Sequence, residues 1–557
     1  MKEETRGLFF AIILSMIAIF ITNWLFPTTE TPTPETSVEA IPVIEEDTTN
    51  TPQTEEKNIL STTDALAQDK RISISNNDIS GSIRLKGARF DDIKLRKYHI
   101  DMSENSPEVE LLTPSQSSNP YYAEFGWLSS DTSLKLPNND TIWKTKNTTL
   151  TPQTPLVLEW NNGQGLRFIR KISIDNNYMF TIEQNVENNT GKNITLYPYG
   201  LINRNTANLE NKTSVVHEGI IGYIDSSLEE VKYSKLEDIG DKKSYTSNGG
   251  WVGFGDRYWF SSLILSDNTN NKIKLSHTSE NTYQVDYVGE ATNIAAGSIG
   301  NNNIRFYTGA KEIKLLDTYT DKLHISKLDL AVDFGWYYFL TKPFFYILDF
   351  LYHLIGNMGW AILLFAALLR LAMFPIANKS YESMSKMKKV QPKLKELQER
   401  YKDDKAKLQR EIMETYRKEK INPAAGCLPI FLQIPIFFSL YKVLNIAIEI
   451  RHAPFIGWIK DLSAPDPLTI SAMSGLSIPS LLDIGVWPML MGLSMYIQQK
   501  LNPAPTNPDQ ARVMALLPLI FTFMLGHFAS GLVIYWTLSN LLSIIQQKAI
   551  MHKLGVK

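Results

Sequence analysis

The sequence predicts a polytopic α-helical membrane protein that carries a large all-β domain outside the bilayer. Three features carry that expectation. The chain opens with an apolar run from Gly7 to Phe26, its last third holds four more long apolar segments, and roughly 250 polar residues with strand-like alternation lie between. The 557 residues exceed one ordinary domain, and a formal net charge of −2 offers no global field for a nucleic-acid partner.

At the N-terminus, Lys2 and Arg6 precede an apolar run of about twenty residues, enough to cross a hydrocarbon core as a helix. The run ends in Trp24, Leu25, Phe26 and Pro27 rather than in the small residues of a cleavage site. Residues 1–27 therefore read as an uncleaved anchor running from the cytoplasm outward. Residues 28–69 are Thr, Pro and Glu with little to bury, and read as a flexible tether.

Period-two patterning dominates residues 70–329. Leu166, Phe168, Ile172 and Ile174 share one face of a strand, interrupted only by Arg170. Asp175-Asn176-Asn177 turns the chain into the run Tyr178, Phe180, Ile182, and Asn188–Gly191 turns it again into Ile194 and Leu196. Such a meander implies an antiparallel sandwich on the far side of the anchor. Cys427 is the only cysteine, which excludes an internal disulfide, and as a small apolar residue it is assigned no chemistry.

Residues 330–355 concentrate aromatic side chains around Lys342-Pro343 and Asp349, the composition of an amphipathic helix lying at the membrane interface. A span at 356–378 follows, then a charged segment at 379–422, and residues 423–557 hold the remaining spans and a short basic tail. The last apolar segment, Val513 to Ile545, folds back near Gly526–Gly531 as a hairpin of two spans, so with the anchor there are six, which returns the C-terminus to the cytoplasm. About fourteen Lys/Arg in the 379–422 segment, against Arg451 and Lys460 alone in the loop from Glu449 to Ser480, agree with that orientation.

The charged segment has helical periodicity. Met387, Val390, Leu394, Leu397 and Tyr401 repeat at three-four spacing, Lys402–Lys405 makes a polar turn, and Leu408, Ile412, Met413 and Tyr416 form a second stripe. This predicts an antiparallel helical hairpin in the cytosol. Its outer face gathers Lys386, Lys388, Lys389, Lys393 and Lys395, either a solvated surface that helps fix topology or a docking site.

Within the second span, Arg370 stands about fourteen residues into the apolar run. A guanidinium at that depth costs about 3 kcal/mol or more, so it either faces a polar cavity or snorkels to the interface near Lys379. Other polar groups at membrane depth are Gln433, Ser439, Thr522, Thr537, Ser539 and Asn540. Each alone reads as an interhelical hydrogen bond; together with Arg370 they would line a hydrated groove. The span from Val513 to Leu525 is short for a bilayer and would thin the membrane beside it. No phosphate-binding loop, acid–base pair or metal-ligand cluster stands out, so neither an enzyme activity nor a cofactor is expected.

The stretch from "LDLAVDFGWYYFLTKPFFYILDFLYHLIGNMGW" through "AILLFAALLRLAMFPIANKSYESMSKMKK" resembles the start of the shared region of the YidC/Oxa/Alb insertase family. "INPAAGCLPIFLQIPIFFSLYKVL", "APFIGWIKDLSAPDP" and "SGLVIYWTLSNLLSIIQQ" continue the likeness in order, from about Leu328 to His552. "GGWVGFGDRYWF" resembles the family's periplasmic domain in Gram-negative bacteria. The resemblance implies a bacterial inner-membrane insertase and chaperone with a five-helix core around a groove open to cytoplasm and lipid, and a β-supersandwich in the periplasm. It places the groove cation at Arg370 and substrate contacts at Tyr535 and Trp536. It further implies nascent membrane proteins as substrates and the Sec translocon, ribosome and signal-recognition receptor as partners. Ala366 departs from the hydroxyl residue usual one turn before the arginine, and Lys442 from a usual aromatic, which suggests that Lys442 snorkels outward. Two other classes remain open from the residues: a transporter, though no inverted repeat is visible, and a carbohydrate-active β-domain, though His99, His217 and His277 form no acid–base motif.

Overall fold

The computed structural model describes residues 59–207, 216–238, 242–267, 269–279, 281–402, 404–419, 421–422, 428–503 and 508–555. The N-terminal anchor, most of the tether and Cys427 lie outside them. The end of the tether segment lies within them and forms helix α1, Thr62–Ala67, whose N-cap Ser61 accepts from the Asp64 amide.

Two sheets, one of eleven strands and one of eight, stack as the expected sandwich. The strand Leu166–Ile174 alternates buried and half-buried residues along its whole length, pairing Leu166 with Asn188 and Ile174 with Phe180 in the strand Met179–Asn188. Arg170 occupies one of the buried positions at 2% exposure. It persists there because its guanidinium donates to the Phe125 carbonyl and to Gln184 Oε1 (3.1 Å) and stacks over Trp143. The inner face is an aromatic mesh in which Phe90 meets Phe125, Phe180 and Phe306 edge to face. Helix α2, Tyr233–Asp238, and helix α3, Ile313–Leu323, close the sandwich.

A 3₁₀ turn at Leu328–Ala331 leads into α4, Tyr338–Ile355. One face of α4 buries Phe344, Phe345, Leu348 and Leu351, while Phe350 and Leu354 on the other are about two-thirds exposed. Gly356 ends the helix in the left-handed conformation at φ 78°, where a side chain is unfavourable.

The second span and the first arm of the hairpin are not separate elements. They form one helix, α5, Met358–Arg400, begun by the Asn357 cap on the Trp360 amide. It contains Pro375 and Pro392. Helix α6, Lys405–Lys418, is the second arm. Leu394 and Leu397 are buried in the seam as the pattern requires, but Met413 is 54% exposed and Thr415 takes the buried place. Helix α7 spans Leu428–Ile446 and α8 the short Ile470–Ser474. Helices α9, Val486–Leu501, α10, Pro508–Leu525, and α11, Ser530–Lys553, complete the fold. The expected terminal hairpin thus breaks after Leu525, and α10 begins five residues earlier than the apolar run alone indicates.

Among the described residues, α5 is the one helix both long and apolar enough to cross a membrane; Phe431–Ile446 and Ala511–Leu525 are shorter apolar helices. Six spans therefore remain an expectation. The buried apolar cluster is continuous from the sandwich into α4, α5, α7 and α11. Polar bonds cross the same joint: Lys442 Nζ to Asp333 Oδ2 (2.6 Å), Arg257 to the Asn445 carbonyl (2.6 Å) and Arg451 to the His99 carbonyl (2.7 Å). Lys442 thus does not snorkel into free solvent. It pairs instead with Asp333, in the stretch between the sandwich and α4.

Candidate functional site

The candidate site lies among α5, α7, α9, α10 and α11. Arg370, half-buried in α5, donates from Nη2 to the Tyr381 hydroxyl at 2.6 Å, and its guanidinium carbon lies 5.7 Å from the Tyr381 ring centre. The side chain therefore points along its own helix toward the hairpin. Arg370 Nε is buried with no hydrogen-bond partner among the described residues. Ala366, one turn earlier, is 2% exposed and supplies no polar atom, so the usual hydroxyl is replaced by apolar packing.

From α7, Gln433 Nε2 donates to the Tyr535 hydroxyl at 3.0 Å, joining two of the expected groove residues. Tyr535 is 2% exposed, so its ring packs and only its polar tip takes part. Trp536 meets Phe437 edge to face at 4.7 Å and Phe521 at 5.9 Å, an aromatic wall from three helices. Ser439 is fully buried and its hydroxyl has no partner.

The remaining expected residues are committed within the protein. Thr522 Oγ donates back to the Pro518 carbonyl (2.7 Å) and Thr537 Oγ to the Val533 carbonyl (2.8 Å), the common way for a helix to satisfy a hydroxyl in an apolar setting. Gly492 of α9 has no room for a side chain, because a Cβ there would run into Thr522 Oγ. Asn540 Nδ2 donates to Ser494 Oγ across α11 and α9 at 2.9 Å. Asn540 thus ties α11 to α9, while Thr522 and Thr537 bond within their own helices.

Sequence reading named Thr537 and Asn540 but missed Ser543, Gln546 and Gln547 beside them. Thr537, Asn540, Ser543 and Gln547 recur at three-three-four spacing on α11, all under 10% exposed. Gln547 donates to Asn502 Oδ1 (3.1 Å), and Gln546 to Asn378 Oδ1 (2.7 Å) and the Phe374 carbonyl (3.3 Å). The spacing was visible in the sequence; what hid it was reading the polar residues as groove lining rather than as one face of a single helix. Tyr381 was also missed, although it stands eleven residues from Arg370, very nearly three helical turns and so on the same face.

Of the basic hairpin residues, Lys389, Lys393 and Lys395 are exposed, and Lys386 and Lys388 half-buried. Lys386 pairs with Glu382 (3.0 Å) and Lys393 lies 3.9 Å from Glu419; at this exposure such pairs are weak and leave the charge accessible. Among the described residues no group of His, Cys, Asp and Glu is placed to hold a metal.

An apolar helical unit with a half-buried cation in its longest helix, joined to a β-sandwich and extended by a basic hairpin, has the make-up of an integral membrane protein with a large domain outside the bilayer. The comparisons narrow the class. Residues 71–347 match the YidC periplasmic domain and residues 350–556 the 60Kd inner membrane protein domain. A membrane protein insertase YidC from Beijerinckia indica is 43% identical, with 100% of this chain and 97% of the relative covered. Proteins of that name from Rickettsia bellii and Rickettsia felis are each 47% identical, with 86% and 87% of this chain and 87% and 88% of theirs covered. The chain belongs to the YidC family of membrane protein insertases.

Proposed function

We propose that the chain inserts nascent membrane proteins into the bacterial inner membrane and assists their folding, using a polar groove between α5, α7 and α11. The observation that carries this reading is the half-buried Arg370, with Nε unpaired, in an otherwise apolar helix beside the Gln433–Tyr535 pair. A buried donor lacking a partner is costly, and a structure keeps one where a transient partner repays it. Arg370 would meet the hydrophilic, often acidic flank of a substrate. The substrate's apolar segment would slide against the aromatic wall of Phe437, Phe521 and Trp536. Burial of that segment in lipid supplies the free energy, so the reading needs neither nucleotide nor cofactor and no bond is made or broken.

In this reading the chain crosses the membrane six times with both termini cytoplasmic and the sandwich in the periplasm. The exposed apolar face of α4 rests on the bilayer surface. Lys386, Lys388, Lys389, Lys393 and Lys395 receive the ribosome or signal-recognition receptor, and the Sec translocon is a second partner. The short apolar lengths of α7 and α10 support local thinning of the bilayer, which lowers the barrier to a polar tail. Photocrosslinkers at Gln433 and Tyr535 test this. A stalled nascent membrane protein should crosslink there and not at Leu371, which is 68% exposed on α5. Equal crosslinking at all three positions would overturn the groove.

A further inference from the structure

The polar environment of Arg370 raises the question of what holds its side chain. In a helix, eleven residues advance about 16 Å and return within about 20° of the starting direction. The two side chains therefore meet only if each extends fully toward the other. Tyrosine does this readily, because helical side chains lean toward the N-terminus; arginine must reach the opposite way. That reach is held by a 2.6 Å hydrogen bond. Tyr381 itself is fixed: it is 4% exposed and packs with Ala377 and Met384 of its own helix and Ile550 near the end of α11. Next to it, Gln546 of α11 grips Asn378 and the Phe374 carbonyl on α5. A rigid phenol therefore accepts from a flexible cation.

We propose that Tyr381 is the positioning residue of the groove cation, orienting the Arg370 guanidinium toward the hairpin end so that it meets an acidic substrate flank arriving from the cytosol. The inference rests on reading Arg370 as a groove charge. The phenol takes one of five guanidinium N–H groups and removes rotamer freedom that the substrate would otherwise have to remove. The exchange is one of hydrogen-bond partners only, and no proton changes owner.

The test uses the full-length protein in proteoliposomes and one single-span reporter with either an acidic or a neutral translocated tail. Wild type, Arg370→Ala, Tyr381→Phe and the double variant are compared at matched abundance. Phenylalanine keeps the ring that packs on Ala377, Met384 and Ile550 and removes only the acceptor. The acidic-to-neutral insertion ratio is expected to fall about threefold in Tyr381→Phe, the worth of one modest hydrogen bond. In the double variant it should fall no further than in Arg370→Ala, because a positioning residue acts only through what it positions. An unchanged ratio in Tyr381→Phe, or additive losses in the double variant, with the ratio lowered by Arg370→Ala, overturns the positioning role alone. An unchanged ratio in Arg370→Ala overturns the groove-charge reading and this inference with it.

Discussion

Glu449 lies just past α7, where the helical unit meets the sandwich. Its Oε2 is buried without a partner, and burial, with Glu312 and Asp349 nearby, pushes its carboxyl up to about 7. Glu312 accepts from the Tyr98 and Tyr178 hydroxyls (3.0 and 2.8 Å) and Asp349 pairs with Lys314, and as acidic groups both disfavour a charge on Glu449. A carboxyl raised in the folded state binds its proton more tightly there than in the unfolded chain. Its penalty is therefore absent below the unfolded value of 4.5, grows as pH rises, and is complete above about 7. A shift of this size corresponds to about 3 kcal/mol of lost stability at pH 8. Glu449→Gln keeps the shape and removes the charge. Thermal unfolding of purified protein in detergent should show the variant more stable than wild type by roughly 5 °C at pH 8, and little different at pH 5. Parallel pH profiles for the two proteins between 5 and 8 would refute a buried carboxyl destabilised by its charge at this joint.

Reversing Lys386, Lys388 and Lys389 to Glu should lower ribosome or receptor recruitment several-fold at low salt without changing abundance, measured by co-sedimentation; unchanged recruitment makes the face a topology signal only. Deleting residues 70–311 should leave insertion of a small single-span substrate measurable when abundance is matched. It should also lower that abundance, because the deletion strips Arg257 from Asn445 and opens the shared apolar core. Complete loss of insertion by a stable remnant would assign the sandwich a direct part.

The fold was legible wherever periodicity is set by a single interface. The alternation from Leu166 to Ile174 became a strand with that same burial pattern because one face of the sheet meets the core and the other meets water. Arg170 broke the hydrophobic pattern without breaking the strand, since two acceptors and the Trp143 ring wait for it between the sheets. Boundaries were less legible. Nothing local ends α5 at the bilayer surface, and Pro375 does not stop it, so the span and the hairpin arm run on as one helix. In the candidate site, residue type revealed which groups were polar but not which would pair. Gln433 with Tyr535 and Asn540 with Ser494 are contacts between segments about 100 and 46 positions apart, fixed by packing that no local pattern records. Lys442 was misread for the same reason, because its partner Asp333 belongs to the stretch between sandwich and interface helix.

The central claim is that Arg370 serves the substrate as a positive charge in the groove. The most direct measurement is the insertion of one reporter with an acidic or a neutral tail through wild type, Arg370→Ala and Arg370→Lys at matched abundance. Alanine should lower acidic-tail insertion roughly tenfold more than neutral-tail insertion, the order expected for losing one charge-assisted hydrogen bond, and lysine should restore much of the difference. Equal losses for the two tails, or no loss for either, would contradict it.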